Sequence, residues 1–237
     1  MNLFTYLMAK KGNKIPVNDD LFAYLLGKNQ APLLPKEYKQ VEYLKSTGTQ
    51  YINTNYSYKY NSSFELILKF DNLRPQAEYI NSNMVFIVSR DISLGKRAIS
   101  INFGGGYDQN QILYVWSGDD ITVNQINIGN IILSKNLLTI RGTTFSYGDY
   151  VKEISLNTNT IEKPMLLFGG YLLSTGNVVL PFSAYDMYVY DFKLYENDNL
   201  VRHYIPCYRK SDKKPGLYDI VNNVFYTNQG TGEFLYG

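Results

Sequence analysis

The sequence predicts an all-β protein, a two-sheet antiparallel sandwich or jelly roll, preceded by two short α-helices. From residue 38 onward, apolar and polar residues alternate in many short runs, as in half-buried strands. Clusters of Gly, Asn and Asp separate these runs and supply turn chemistry. Tyrosine occurs 23 times in 237 residues, which also favours sheets and loops over helices. Many short strands with regular turns are typical of sandwiches and jelly rolls.

The two helices are predicted from a repeated phrase. "NLFTYLMAK" (2–10) returns as "DLFAYLLGK" (20–28), and Asn2 and Asp20 suit the N-cap position before each apolar pair. Each helix spans about two turns and is too short to be stable alone in water, so both are expected to dock on another surface. The residues expected to form this anchor are Leu3, Phe4, Tyr6, Leu7, Leu21, Phe22, Tyr24 and Leu25. Alternatively, both helices cover an open face of their own sandwich.

A proline-containing segment separates the helices from the strands. Pro32 and Pro35, in "QAPLLPKEY" (30–38), favour an extended path and end any preceding helix. We therefore expect a helical segment over 1–31, a linker over 32–37 and a β domain over 38–237.

Two runs carry the clearest strand patterns. In "SFELILKFD" (63–71), every second residue from Phe64 to Phe70 is expected to point into the core. In "FSAYDMYVYDFKLYEND" (182–198), simple alternation predicts one face with Tyr188, Tyr190, Phe192 and Leu194 and another with Met187 and Val189. Apolar residues on both faces predict a central strand. Further strands are expected within 83–91, 98–105, 111–119, 136–147 and 164–172.

Composition narrows the classes of partner. The net charge is +2 and no basic stripe appears, so nucleic acid is not an expected partner. The single cysteine, Cys207, excludes an internal disulfide. No apolar run approaches the roughly 20 residues of a membrane span, and the first residues lack the pattern of a signal peptide. A protein made in a cytoplasm, with no membrane partner, is expected.

The last strands resemble a known family. "LVRHYIPCYRKSDKKPGLYDIVNNVFYTNQGTGEFL" (200–235) resembles the closing segment of concanavalin A-like, laminin-G-type jelly-roll modules of phage and gut-bacterial surface proteins. The matching positions are Leu200, Val201, Arg202, Pro206, Gly216, Tyr218, Asp219, Val221, Phe225, Tyr226, Asn228, Gly230, Gly232 and Phe234. The stretch 34–56 resembles the first strands of the same family. His203 departs from the pattern, where an acidic residue is more common.

These matching residues are interpreted mainly as fold determinants. Asp219 is expected to accept hydrogen bonds from turn amides and to pair with Arg202. The glycines of "TNQGTG" are expected to allow the chain to turn back.

The repeated phrase resembles short N-terminal modules of structural proteins in phages of low-GC Gram-positive hosts. This resemblance implies a virion protein, assembled in the host cytoplasm, that docks through residues 1–31 on other capsid or tail proteins. The implied roles are capsid decoration, head fibre, tail fibre or baseplate component, in a monomer or homo-oligomer displaying a lectin-like jelly roll to host-surface glycans. The alternative is a bacterial carbohydrate-binding or adhesion module.

Candidate binding residues lie in two loops and one strand. Tyr107 and Asp108 follow three glycines, and Trp116 precedes Asp119; these four are the glycan-binding candidates. Asp119 and Asp120 are weak candidates for Ca²⁺, and no other cofactor is expected. The competing interpretation places Trp116 in the core and the aspartates in solvated turns.

No enzymatic site is expected. A glycosidase of this class needs two carboxylates facing one cleft. Asp186, Asp191 and Glu196 are spaced five apart, which places neighbours on opposite faces of a strand. His203 and Cys207 would share a strand face, but no third residue is available to orient a dyad.

Overall fold

The computed structural model describes the backbone of residues 34–71, 84–91, 96–104, 112–119, 123–127, 134–154, 163–171, 178–179 and 185–237. The chain divides into two units between Pro35 and Lys36, and nearly all described residues belong to the second unit. The two predicted helices lie outside the described residues, so they remain predictions.

The described residues form nineteen strands. They are β1 (Tyr38–Gln40), β2 (Leu44–Thr47), β3 (Ile52–Asn53), β4 (Ser62–Phe70), β5 (Met84–Asp91), β6 (Lys96–Gly104), β7 (Ile112–Asp119), β8 (Val123–Asn127), β9 (Asn136–Arg141), β10 (Thr144–Tyr147), β11 (Tyr150–Glu153), β12 (Leu166–Leu167), β13 (Gly170–Tyr171), β14 (Val178–Val179), β15 (Tyr185–Glu196), β16 (Asn199–Arg209), β17 (Pro215–Asp219), β18 (Val224–Thr227) and β19 (Leu235–Tyr236).

All the strand pairs are antiparallel. Eleven strands make the larger sheet, with the order β11-β10-β9-β4-β15-β16-β17-β18 and with β1, β2 and β19 attached beside that path. Six strands make the second sheet in the order β3-β12-β5-β6-β7-β8, and β13 pairs with β14. Within the described residues there is no helix, so the predicted all-β, antiparallel character of this region is confirmed.

The larger sheet forks at β15. One edge of β15 pairs with β4 from Met187 to Glu196. The opposite edge pairs with β2 between Tyr185 and Val189, and with β16 from Phe192 onward. Strands β2 and β16 therefore leave the same edge of β15 at different points, and the chain between β1 and β2 crosses from one branch to the other.

Strand β4 follows the predicted alternation. Phe64, Leu66, Leu68 and Phe70 are fully buried, whereas Glu65 and the other intervening residues are half-buried. The predicted core face of this strand is confirmed.

Strand β15 is central, as predicted, but the predicted assignment of its faces is wrong. Val189 pairs with Leu68 and Asp191 pairs with Ile67, so Tyr190 is an extra residue in a β-bulge. The bulge reverses the alternation at this point. The buried residues are Met187, Val189, Phe192 and Leu194, all on the core face. Tyr188 and Tyr190 lie half-buried on the outer face instead.

One continuous hydrophobic cluster contains side chains of both large sheets. The larger sheet contributes Phe64, Phe192 and Tyr204, whose rings pack at centroid distances of 6.0 and 5.4 Å. The six-stranded sheet contributes Ile52, Ile99, Ile101, Val115 and Leu167. Each such side chain contributes roughly 1.5–3 kcal/mol on burial, so this cluster is the main source of stability for the described region.

Side-chain hydrogen bonds tie the first strands to the last. The Asn228 carboxamide oxygen accepts from the amides of Tyr51 (3.1 Å) and Gly230 (2.8 Å). The buried Gln50 side chain donates to the Glu233 carbonyl at 3.1 Å. Gly232 has φ +67°, a conformation that L side chains rarely adopt. The residues of "TNQGTG" thus close the domain, which supports their interpretation as fold determinants.

Candidate functional site

Most of the predicted site residues lie outside the part of the chain that the structure describes. This applies to every anchor residue within 1–31 and to Tyr107, Asp108 and Asp120. Trp116 and Asp119 lie in β7, where Trp116 pairs with Ser100 of β6 and Asp119 pairs with Lys96. The glycan and Ca²⁺ assignments therefore remain predictions.

His203 and Cys207 have separate environments on β16. The His203 Nε2 atom lies 2.6 Å from the Asp191 Oδ1 atom of β15. Cys207 is fully buried, and this burial raises the pKa of its thiol to about 12. Since the thiolate is the reactive form of cysteine, burial disfavours a nucleophilic role.

Asp219 is a fully buried carboxylate with several donors around it. Its Oδ1 atom accepts from the amides of His203 (3.1 Å) and Val221 (3.0 Å), and Oδ2 accepts from the Asn222 amide group (2.8 Å). The Arg202 Nε atom lies 3.4 Å from Oδ2. The predicted turn hydrogen bond and the predicted Arg202 pair are both present. This carboxylate ties β16 to the turn between β17 and β18.

Two carboxylates of β15, those of Asp191 and Glu196, are held in the ionised form. Burial disfavours the charge of Asp191, but the hydrogen bond from His203 and the charges of His203 and Lys193 outweigh it and lower its pKa. The pKa of Glu196 is lowered chiefly by a hydrogen bond from Lys59. A glycosidase acid needs a raised pKa, so neither residue has the required property. Within the described ranges, no three metal-ligating side chains come together.

A charged row crosses four strands on the outer face of the larger sheet. It runs from Arg141 (β9) through Glu65 (β4) and Lys193 with Asp191 (β15) to His203 (β16). Arg141 hydrogen-bonds to Glu65, and the Lys193 ammonium lies 3.3 Å from Asp191 and 4.0 Å from Glu65. Because each charge already faces an opposite one, this row joins strands and leaves little free charge for a ligand.

Tyrosines form a second group on the same outer face. The Tyr43 ring packs edge-on against Tyr188, with centroids 4.8 Å apart, and against Tyr190 at 5.9 Å. The Lys135 ammonium lies 4.0 Å from the Tyr190 ring centroid. Simple alternation placed Tyr188 and Tyr190 on one face, but it wrongly added Phe192 and Leu194, which the bulge turns toward the core. We call Tyr43, Tyr188 and Tyr190 the tyrosine cluster.

A groove opens next to the tyrosine cluster, where the larger sheet forks. It has a volume of about 870 Å³ and is lined by Lys39, Gln40, Val41, Glu42, Tyr208, Lys213, Tyr236 and Gly237. We call it the fork groove. Its base is fixed by main-chain bonds, since the Val41 amide donates to the Pro206 carbonyl at 3.0 Å and the Tyr43 amide donates to the Gly237 carbonyl at 3.3 Å.

Tyr208 is the central side chain of the fork groove. Its ring centroid lies 5.2 Å from that of Tyr236, with an interplanar angle of 35°. The Lys213 ammonium lies 5.0 Å from the Tyr208 ring centroid. Lys39 is directly opposite Tyr208 in the β1–β16 pair, so both side chains point to the same side of the sheet. Two rings and the Lys213 ammonium therefore converge here, with Lys39 on the same side of the neighbouring strand.

The two lysines of the fork groove are not neutralised by described residues. Within the described ranges, neither Lys39 nor Lys213 has a carboxylate within 4.0 Å. By contrast, Glu42 at the rim lies 3.5 Å from Lys135, outside the groove. The fork groove is thus a partly aromatic surface lined by two lysines and one glutamate, and the lysine end of this arrangement suits an anionic ligand.

Sequence patterns did not identify the fork groove because its residues are far apart in the chain. Lys39 reaches Tyr208 through the β1–β16 pair, and Tyr236 arrives through pairing of β19 with β2. The only sequence feature that pointed to such a surface was the high tyrosine content. The chain has 23 tyrosines, more than the described core buries.

Comparison with known proteins gives no family for this chain: no family model matches it, and no curated protein matches it. Among the residues that the structure describes, there is no helix long and apolar enough to cross a bilayer.

Proposed function

We propose that the chain is a phage virion structural protein that docks through residues 1–31 and displays a concanavalin A-like jelly roll. In this proposal the two large sheets are the layers of the jelly roll. The resemblance of 34–56 and 200–235 to such modules supports the fold. The doubled phrase at 2–10 and 20–28 supports docking on two equivalent grooves of a symmetric capsid or tail assembly.

The observation that carries the proposal is the contrast between the fork groove and the carboxylates. The groove presents exposed Tyr236 beside Lys39 and Lys213, whereas Asp191 and Glu196 are paired and have lowered pKa values. Such a surface suits binding, and such carboxylates do not suit acid catalysis. We infer a display and binding role without hydrolytic activity.

Incorporation into particles tests the docking role. Replacing Phe4 and Phe22 with Ala should remove the protein from purified particles, because each buried Phe contributes roughly 1.5–3 kcal/mol and a linked second helix adds avidity. Tyr60→Ala is the control, since Tyr60 is exposed within the β domain. Copy number per particle is the readout, with the melting temperature of the free protein measured in parallel.

Two results separate the alternatives. Lost incorporation with an unchanged melting temperature supports the anchor. Unchanged incorporation with a lowered melting temperature shows that the helices pack on their own domain and overturns the proposal.

The fork groove also fits the alternative of a bacterial carbohydrate-binding or adhesion module. Purification separates the two roles, because a virion protein copurifies with particles and a bacterial module does not.

A further inference from the structure

We propose that the fork groove binds an acidic saccharide, a chain of sugar rings that carries carboxylate or phosphate groups. The inference rests on the proposed display and binding role and specifies the class of ligand. It concerns Lys39, Tyr208, Lys213 and Tyr236, none of which belongs to the glycan-binding candidates near Tyr107 and Trp116.

The aromatic part of the groove favours a sugar ring. Tyr208 is half-buried and Tyr236 is 38% exposed, so both rings are fixed on one side and open on the other. Their tilt of 35° gives a shallow concave surface rather than a flat stack. The apolar C–H face of a pyranose packs well on such a surface, while its hydroxyl groups remain in water. Two adjacent rings suit two adjacent sugar units.

The charges favour an acidic substituent on that sugar. The Lys213 ammonium is placed over the Tyr208 ring, and Lys39 stands opposite Tyr208 in the next strand, on the same side of the sheet. Neither has a carboxylate partner among the described residues, whereas Arg209 nearby is bound to Asp212 at 2.6 Å. The positive charge of the groove is therefore available to a ligand.

The carboxylate at the rim of the groove adds a limit on orientation. Glu42 closes the rim with a negative charge. An anionic group should therefore lie at the Lys39 and Lys213 end and avoid the Glu42 end, which fixes one direction for the bound chain.

Binding of four defined probes to the full-length protein tests the inference. The probes are tetragalacturonate, its neutral methyl ester, a phosphorylated oligosaccharide, and an oligomer of glycerol phosphate, which has charge but no sugar ring. Titration calorimetry should show binding of tetragalacturonate, at least tenfold weaker binding of the ester, and a fall in affinity as sodium chloride rises. If a phosphorylated oligosaccharide binds more tightly than tetragalacturonate, phosphate is the natural acidic group.

Variants locate the site. Lys39→Ala and Lys213→Ala should each weaken tetragalacturonate binding about two- to five-fold. Tyr236→Ala should weaken it about three- to ten-fold, and unlike the lysine changes it should not reduce the salt dependence. Lys210→Gln is the matched control, because it removes one exposed positive charge outside the groove. Melting temperatures show whether each variant is folded.

Several outcomes overturn the inference. These are no binding of any probe, equal binding of the acid and its ester, equal binding of the ring-free oligomer, or equal losses in Lys210→Gln and Lys213→Ala. None of them bears on particle incorporation, which depends on residues 1–31, so failure here is distinguishable from failure of the docking proposal.

Discussion

The buried carboxylate of Asp219 provides the sharpest test of the closing strands. In Asp219→Asn, the new side chain keeps its oxygen toward the amides of His203 and Val221, because turning it around would oppose two N–H donors. Its NH₂ group then occupies the place of Oδ2. There it faces the Asn222 amide group and the Arg202 Nε atom, which in the unchanged protein lie 2.8 and 3.4 Å from Oδ2.

The expected cost follows from the lost hydrogen bond with Asn222 and the lost ion pair with Arg202. A buried donor left unsatisfied costs about 1–3 kcal/mol, and removing one partner of a buried charge pair costs about 3–5 kcal/mol. Arg202 keeps 24% of its side chain exposed and retains a hydrogen bond to the Val201 carbonyl, which reduces the penalty. We expect a loss of about 2–4 kcal/mol in the free energy of unfolding.

Urea unfolding followed by tryptophan and tyrosine fluorescence measures this loss. Asp212→Asn is the control, because Asp212 is an exposed partner of Arg209 and should cost less than about 1 kcal/mol. The double variant Asp219→Asn with Asn222→Asp restores a donor–acceptor pair and should recover about half of the loss. Equal costs for Asp219→Asn and Asp212→Asn would refute the reasoning.

Three further predictions concern stability. Gly216→Ala should destabilise the domain by more than about 2 kcal/mol in urea unfolding, because the added Cβ would lie 2.2 Å from the Tyr226 carbonyl oxygen and 2.7 Å from the Phe225 ring. Adding Phe225→Ala removes only the contact with the ring, so it should not restore the stability. Full recovery in the double variant would contradict this prediction. Burial opposes the charge of Asp71, but hydrogen bonds from Lys69, Tyr188 and Lys45 hold its pKa at about 2, against an ordinary 3.8, so its stabilisation is complete above about pH 4 and is lost as the pH falls toward 2. Asp71→Asn should therefore reduce the fall of the urea midpoint between pH 4 and pH 2, by an amount equivalent to roughly 1 kcal/mol after solvent screening. If the variant loses stability with acid as the unchanged protein does, Asp71 is not the group responsible. A protein beginning at Pro35 should be soluble and should melt cooperatively by calorimetry, since the chain divides there; aggregation of this protein alone would show that residues 1–34 belong to the core.

Sequence alone predicts the core face of a strand correctly where buried and exposed residues alternate without interruption. Alternation in "SFELILKFD" assigns the core face of β4 correctly, because Phe64 to Phe70 form an uninterrupted strand. The closing motif was also informative, since Asn228 and Asp219 hold turns through short-range hydrogen bonds. Such contacts depend on residues that are close in sequence or in adjacent hairpins.

Alternation assigns the two faces of β15 wrongly, and the reason is physical. A bulge adds one residue to one strand of a pair, and its position depends on the partner strand. Nothing in "DMYVYDFKL" distinguishes Tyr190 as the extra residue, because Tyr, Val and Phe are all common on either face of a strand. The position of the bulge is determined by the pairing of Val189 with Leu68 and of Asp191 with Ile67.

The position of the fork groove has a related cause. Hydrophobic periodicity reports which side chains leave water, so it detects core residues and is insensitive to side chains such as Tyr236 and Lys213 that remain partly in water. The groove arises because β2 and β16 share one edge of β15 and then separate, a property of strand pairing. A binding surface built at such a fork draws its residues from both ends of the domain. Its chemistry can therefore change through a few half-exposed positions while the core pattern, and with it the fold, stays the same.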